Sequence, residues 1–182
     1  MDWTAIFGKK STSSGNGELG KLFATIESLA SGRSVDEIKR ITGWAGLLGR
    51  VAYADLELAK EELAAIERVL EEVHALGKDN ARQVVELIEK ERVQLLSIED
   101  YHYTRLINEV ASRLEKVELL GVLFRVAAAD GTVAEREEAA IRLVSQGLLL
   151  DHADFIAARL LVRDCVPVLR RRSSSAGGQT TN

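Results

Sequence analysis

Two Asp–Glu pairs are the residues in this chain best suited to holding a cation. Asp130 and Glu137 lie in "RVAAADGTVAEREE", Arg125 to Glu138, and Asp55 and Glu62 lie in "RVAYADLELAKEEL", Arg50 to Leu63. The two phrases stand 75 positions apart. Carboxylates are hard oxygen donors of the kind that Ca²⁺ and Mg²⁺ prefer. Laid on an EF-hand loop, Asp130 takes the fifth position, Gly131 the sixth and Glu137 the twelfth, but the first and third fall on Val126 and Ala128, which have no ligand atom. One copy is therefore not an EF-hand and offers only two carboxylates. Two copies facing each other would offer four: Asp55, Glu62, Asp130 and Glu137. Four carboxylates around one point cannot all stay ionised unaided. A hard divalent cation, Ca²⁺ or Mg²⁺, would resolve that repulsion.

The same residues have a structural reading. An Asp at a helix–loop–helix corner accepts backbone N–H groups, and Gly131 supplies a positive φ. Thr132 with Glu135 matches a capping box. Glu62 and Glu137 fall in the first turn of the next helix, where the macrodipole favours them. Caps alone would account for every acidic residue in the phrase.

The elements that must position these side chains are helices. Aligned without a gap, Gly46 to Ile66 and Gly121 to Ile141 share twelve identities in 21 positions, which marks an internal duplication of helix, tight loop and helix. Two copies are too few for a solenoid, so a pseudo-twofold packing around one core is expected. Leu123, Val126 and Asp130 fall at i, i+3 and i+7, as do Leu48, Val51 and Asp55, which predicts that each Asp points into the bundle. Leu56 occupies the position of Gly131. A Leu does not readily take a left-handed conformation, so the first corner is expected to turn differently from the second.

Helical periodicity continues outside the repeats. Leu19, Leu22, Phe23, Ile26 and Leu29 or Ala30 share a face. Ser34 and Glu37 form a capping-box pattern that opens a helix carrying Ile38, Ile41, Ala45, Leu48, Val51 and Ala52. Leu63, Ile66, Val69, Leu70 and Val73 make the next stripe, with Gly77 as its stop. Asp79 is placed to cap "ARQVVELIEKERVQLL", and "SIEDYHYTRLINEV" to hold a turn and a shorter helix. Val117, Leu120, Leu123, Phe124 and Ala127 form one stripe, and Ile141, Val144 and Leu148 another. Asp151 or Asp154 caps a last helix running through Leu160, Leu161 and Cys165, limited by Pro167. The fold class is all-α: a compact bundle of about seven to eight helices built on repeats 46–90 and 121–163. Residues 1–17 read as a flexible leader, 18–169 as the helical domain and 170–182 as a disordered tail.

Composition narrows the function. The 182 residues are 46% hydrophobic and carry a net charge of −4, which gives no global reason to bind nucleic acid. Cys165 is the only cysteine, so no internal disulfide forms and a reducing, cytoplasmic setting fits. No apolar run reaches the roughly 18 residues of a membrane span, and "MDWTAIFGKK" has neither an h-region nor a cleavage signal. Trp3, Ile6 and Phe7 beside Lys9 and Lys10, with Arg170 to Arg172, would give at most weak membrane contact through the termini.

Catalytic signals are lacking. "GNGELG" matches G-x-G-x-x-G but follows no strand. "FGKKST" lacks the first glycine of a P-loop. His74, His102 and His152 are scattered, which suits surface or capping roles. Cys165 reads as a buried small hydrophobe. No nucleophile–base constellation is spaced for catalysis. The run of Glu61, Glu62, Glu67, Glu71, Glu72, Glu86, Glu89 and Glu91 reads as a solvated face or as a docking surface for a basic partner.

The phrases "VAAADGTVAEREEAAI" and "VAYADLELAKEELAAI" resemble the TerB tellurite-resistance family and the wider TerB-like superfamily, over roughly residues 46 to 163. The resemblance implies an all-helical bundle with a divalent-metal site at Asp55, Glu62, Asp130 and Glu137. It also implies a role in stress or tellurite resistance, within a complex at the inner face of the membrane. Family members are not known as enzymes. TerB-like domains also precede the J domain of some co-chaperones, but this chain has no His-Pro-Asp signature. The expectation is a non-enzymatic, cation-binding interaction module, cytoplasmic or peripheral to the inner membrane, with an unknown protein partner. The alternative is a purely structural protein–protein adaptor whose repeated acidic residues are helix caps.

Overall fold

A computed structural model describes residues 14–93 and 100–163. Among them are eight α-helices and no strand: α1 Ser14–Leu29, α2 Val35–Ala52, α3 Lys60–Glu72, α4 Lys78–Lys90, α5 Asp100–Val110, α6 Arg113–Ala127, α7 Glu135–Gly147 and α8 His152–Arg163. The all-α expectation holds. α1 begins inside the Gly/Ser-rich stretch read as leader. Trp3, Ile6, Phe7, Cys165, Pro167 and the tail lie outside the described residues.

Caps define the helix starts. At α2 the Ser34 hydroxyl accepts from the Glu37 N–H at 3.3 Å, and Glu37 accepts the Ser34 N–H at 2.9 Å. Ser112 and Glu115 repeat this box at α6, an S-x-x-E signal that the helical periodicity had overshadowed. Asp151 and Asp154 cap α8 reciprocally: each carboxylate accepts the other's N–H, at 2.9 and 3.1 Å. Two punctuation marks differ from expectation. α3 ends at Glu72 and the chain reverses at Ala75, with φ 48°; Gly77 instead precedes α4 as its N-cap. Asp79 therefore lies in the first turn of α4 rather than at its cap, where it still complements the dipole.

α2 is the central element and packs against α1, α3, α4, α5, α6 and α7. Gly43, Gly46 and Gly49 recur every third residue along it and let neighbouring side chains come close: a Cβ on Gly43 would meet Ile107, and one on Gly49 would meet Ile88. A single apolar core joins all eight helices, with Ile26, Leu48, Ile66, Ile88, Ile107, Leu123, Ile141 and Ala158 fully buried. Phe124 and Phe155 join α6 to α8 edge to face, 5.4 Å between centroids. Ion pairs Arg50–Asp100 at 2.9 Å and Lys39–Glu109 at 2.8 Å tie α2 to α5 at the surface. His74 is not a surface histidine. It is buried, with its ring edge to face on Trp44.

Candidate metal centre

Both repeats make the same corner. α2 and α6 end three residues before Asp55 and Asp130. In the first corner Tyr53, Ala54 and Leu56 donate to the carbonyls of Gly49, Val51 and Tyr53. In the second, Ala128, Ala129 and Gly131 donate to Phe124, Val126 and Ala128 at the equivalent positions. Each Asp then closes the loop: Asp55 Oδ1 accepts the Glu57 N–H at 3.0 Å, and Asp130 Oδ1 accepts the Thr132 N–H at 2.8 Å. Short polar side chains favour such i, i+2 bonds.

The expectation that Leu56 would force a different turn is overturned. Leu56 has φ 75° where Gly131 has φ 101°, so both take the left-handed region. The hydrogen-bonded corner imposes that conformation, at a local cost of roughly 1–2 kcal/mol for a residue with a Cβ. Leu56 is 58% exposed and contributes little burial to offset it. Leu56→Gly is expected to leave stability unchanged or raise it by up to about 1 kcal/mol, the strain relieved being partly cancelled by added freedom in the unfolded chain. Leu56→Val is expected to lower it, because a branched Cβ fits positive φ worse. The expected urea midpoints are at or above the parent's for Leu56→Gly and below it for Leu56→Val.

The expected capping box between Thr132 and Glu135 does not form. α7 starts at Glu135 with Ala134 as N-cap, and Thr132 turns its N–H and hydroxyl to Asp130. The capping is done by the glutamates that follow. Glu62 accepts the Ala59 N–H at 2.9 Å, and Glu137 accepts the Ala134 N–H at 2.7 Å. Ala has no side-chain acceptor, so each helix has only the glutamate half of a box.

The four candidate carboxylates line one cavity of about 160 Å³, with Glu57 and Thr132 beside them. Their depths invert the expectation. The aspartates do not point into the bundle: Asp130 is exposed and Asp55 half-buried, because the helices end before reaching them and the helical period no longer applies. The glutamates are the buried pair, Glu62 5% and Glu137 3% exposed. A side-chain hydrogen bond joins them across the repeats. Burial, then the shared hydrogen bond and the charge of Glu62, pushes the Glu137 carboxyl up to about 9. Burial also raises Glu62, with Asp130 and Asp55 adding repulsion. The pair therefore holds a proton between its members near neutral pH.

This donor set fits a hard cation in kind, being four carboxyl groups in a small polar cavity. The spacing is looser than a closed ligand set: among the described residues no three His, Cys, Asp or Glu side chains converge tightly enough to hold a metal ion as they stand. One oxygen of each carboxyl is anchored by a backbone N–H, which fixes the side chain.

A duplicated corner of this kind is matched by the family model described as Tellurite resistance protein TerB, over residues 42–160. The chain belongs to the TerB family. The matched span begins within α2 and ends within α8, so it contains both corners of this TerB chain and the whole carboxylate cavity. No curated protein and no solved structure matches the chain. Among the described residues no helix is long and apolar enough to cross a membrane.

Proposed function

We propose that this TerB-family chain is a non-enzymatic module that binds a divalent cation, Ca²⁺ or Mg²⁺, through Asp55, Glu62, Asp130 and Glu137. The observation that carries the reading is the buried glutamate pair, one member from each repeat, facing a cavity also lined by the two corner aspartates and by Glu57. Burying two carboxyls against each other is costly unless something neutralises them. A cation bound there would supply positive charge and link the two corners. The chain's own part is to hold the carboxyls in place, through Ala59 and Ala134 for the glutamates and through Glu57 and Thr132 for the aspartates. Bound in this way, the cation would stiffen both corners and set the surface that a protein partner meets in tellurite or stress resistance, in the cytoplasm or at the inner membrane face. The exposed glutamates of α3 and α4 suit a basic partner.

The second reading is a structural adaptor with no metal. It is favoured by the backbone N–H that each of the four carboxyls already accepts and by the raised pKa of Glu137, since a proton on that carboxyl removes half the charge of the glutamate pair. Thermal melts of metal-stripped protein separate the two. A cation at about 100 times its Kd stabilises by roughly 2.7 kcal/mol, a rise of roughly 5–10 °C for a domain of this size. The rise is expected with Ca²⁺ or Mg²⁺ and is expected to vanish in the Asp55→Ala/Asp130→Ala variant. No rise with either ion in the parent protein would leave the adaptor reading.

A further inference from the structure

A second cavity, of about 560 Å³, lies between the start of α2, the end of α3 and the start of α6. Its volume is in the range typical of small-molecule sites, about 300–1,000 Å³. Three buried nitrogens without a hydrogen-bond partner belong to residues that line it: Arg40 Nε, Trp44 Nε1 and His74 Nε2. Trp44 and His74 are only 3% and 7% exposed. Their rings meet edge to face, 4.8 Å between centroids, without a hydrogen bond between them. Arg40 Nε has the Glu115 carboxylate 3.3 Å away as its nearest charge, while its Nη2 is committed to the Val110 carbonyl. Buried polar atoms of this kind are rare and costly in a native fold, so a cluster of them at one cavity calls for a ligand.

The chemistry of that ligand follows from the donors. An indole N–H and a guanidinium can only donate. Arg33 and Arg40 both line the cavity and bring positive charge close to His74. His74 is held neutral, its pKa lowered to about 4, by burial first and then by the fields of Arg40 and Arg33. Glutamates line the cavity too, but Glu37 and Glu115 are engaged in capping Ser34 and Ser112, and Glu72 and Glu118 are exposed. We propose that this cavity binds a small oxygen-bearing anion, an inorganic oxyanion or a free carboxylate, which accepts from Trp44 Nε1–H and the Arg40 guanidinium, with His74 as a further donor. The site is separate from the carboxylate cavity and stands whether or not that cavity binds a cation.

The indole N–H of Trp44 is a direct reporter. In full-length ¹⁵N-labelled protein carrying Trp3→Phe, Trp44 is the sole tryptophan. Inorganic phosphate, sulfate and acetate would each be titrated against sodium chloride of equal ionic strength. A saturable shift of the Trp44 indole resonance is expected with at least one of them, with affinity weakened about tenfold or more in Arg40→Gln. A response to phosphate or sulfate alone assigns an inorganic oxyanion, and a response to acetate assigns a carboxylate. Should Arg40→Gln lose its cooperative melt, Arg33→Gln carries the same test from the other guanidinium lining the cavity. Absence of a saturable shift with all three anions, or full affinity in the cooperatively folded arginine variants, would overturn the assignment.

Discussion

Replacing Glu137 with Gln is expected to raise the melting temperature of the metal-free protein at alkaline pH and to abolish its response to Ca²⁺ or Mg²⁺. The carboxyl titrates near 4.5 when unfolded and is pushed up to about 9 in the fold. Stability from this group is therefore fully present below about pH 4.5 and lost as pH rises through 9, because the unfolded chain gives up its proton first. Gln has the same shape, still accepts the Ala134 N–H and donates to Glu62 without titrating. The gain at pH 8–9 should be about 2 kcal/mol once the solvent that reaches the cavity is allowed for, or roughly 5 °C. The loss of cation response should be complete, since the ion forfeits a buried oxygen ligand and meets an amide donor instead. Melts of the parent and variant across pH, with and without each ion, test both halves. A variant that melts lower than the parent at pH 8–9 would mean the pair holds no shared proton. A variant that keeps the full cation shift would move the metal elsewhere.

Gly46→Ala is expected to be among the most destabilising single substitutions in the chain. A Cβ there would lie 2.1 Å from Tyr103 Cε1 and 2.3 Å from Cδ1. Tyr103 is fully buried on α5, so its ring cannot swing out to solvent. The clash would have to be relieved by moving α5 away from α2, along a contact that Gly43 against Ile107 continues. Overpacking of this severity costs about 3 kcal/mol, which lowers the melting temperature by roughly 6–12 °C. Gly20→Ala is the control. Nothing lies within 4 Å of the added methyl on α1, and there the intrinsic preference of Ala for helix should stabilise by about 0.5–1 kcal/mol. Similar melts for the two variants would refute the close approach of α2 and α5.

Much of this molecule is determined by short-range pattern. Leu19, Leu22, Phe23 and Ile26 fall on one face because a helix repeats every 3.6 residues, and they are buried because an apolar face must be. The Ser34–Glu37 box and the duplicated phrase are equally local, and so the all-helical fold, the repeat and the identity of the four carboxylates could be read from residue order. The same periodicity failed at Asp55 and Asp130, since it was carried past Ala52 and Ala127, where the helices stop. What only the tertiary structure decided involves residues far apart in the chain. Glu62 and Glu137 are 75 positions apart, and whether they face each other depends on how α3 and α7 are set by α2, α6 and the core between them. The burial of the glutamates rather than the aspartates, and the proton they share, follow from that packing. So do the left-handed Leu56, held by hydrogen bonds equivalent to those around Gly131, and the gathering of Arg40 and Trp44 from α2 and His74 from the loop after α3 around one cavity. Local pattern fixes which way a side chain leaves its own helix. Only the packing of helices fixes what it meets there.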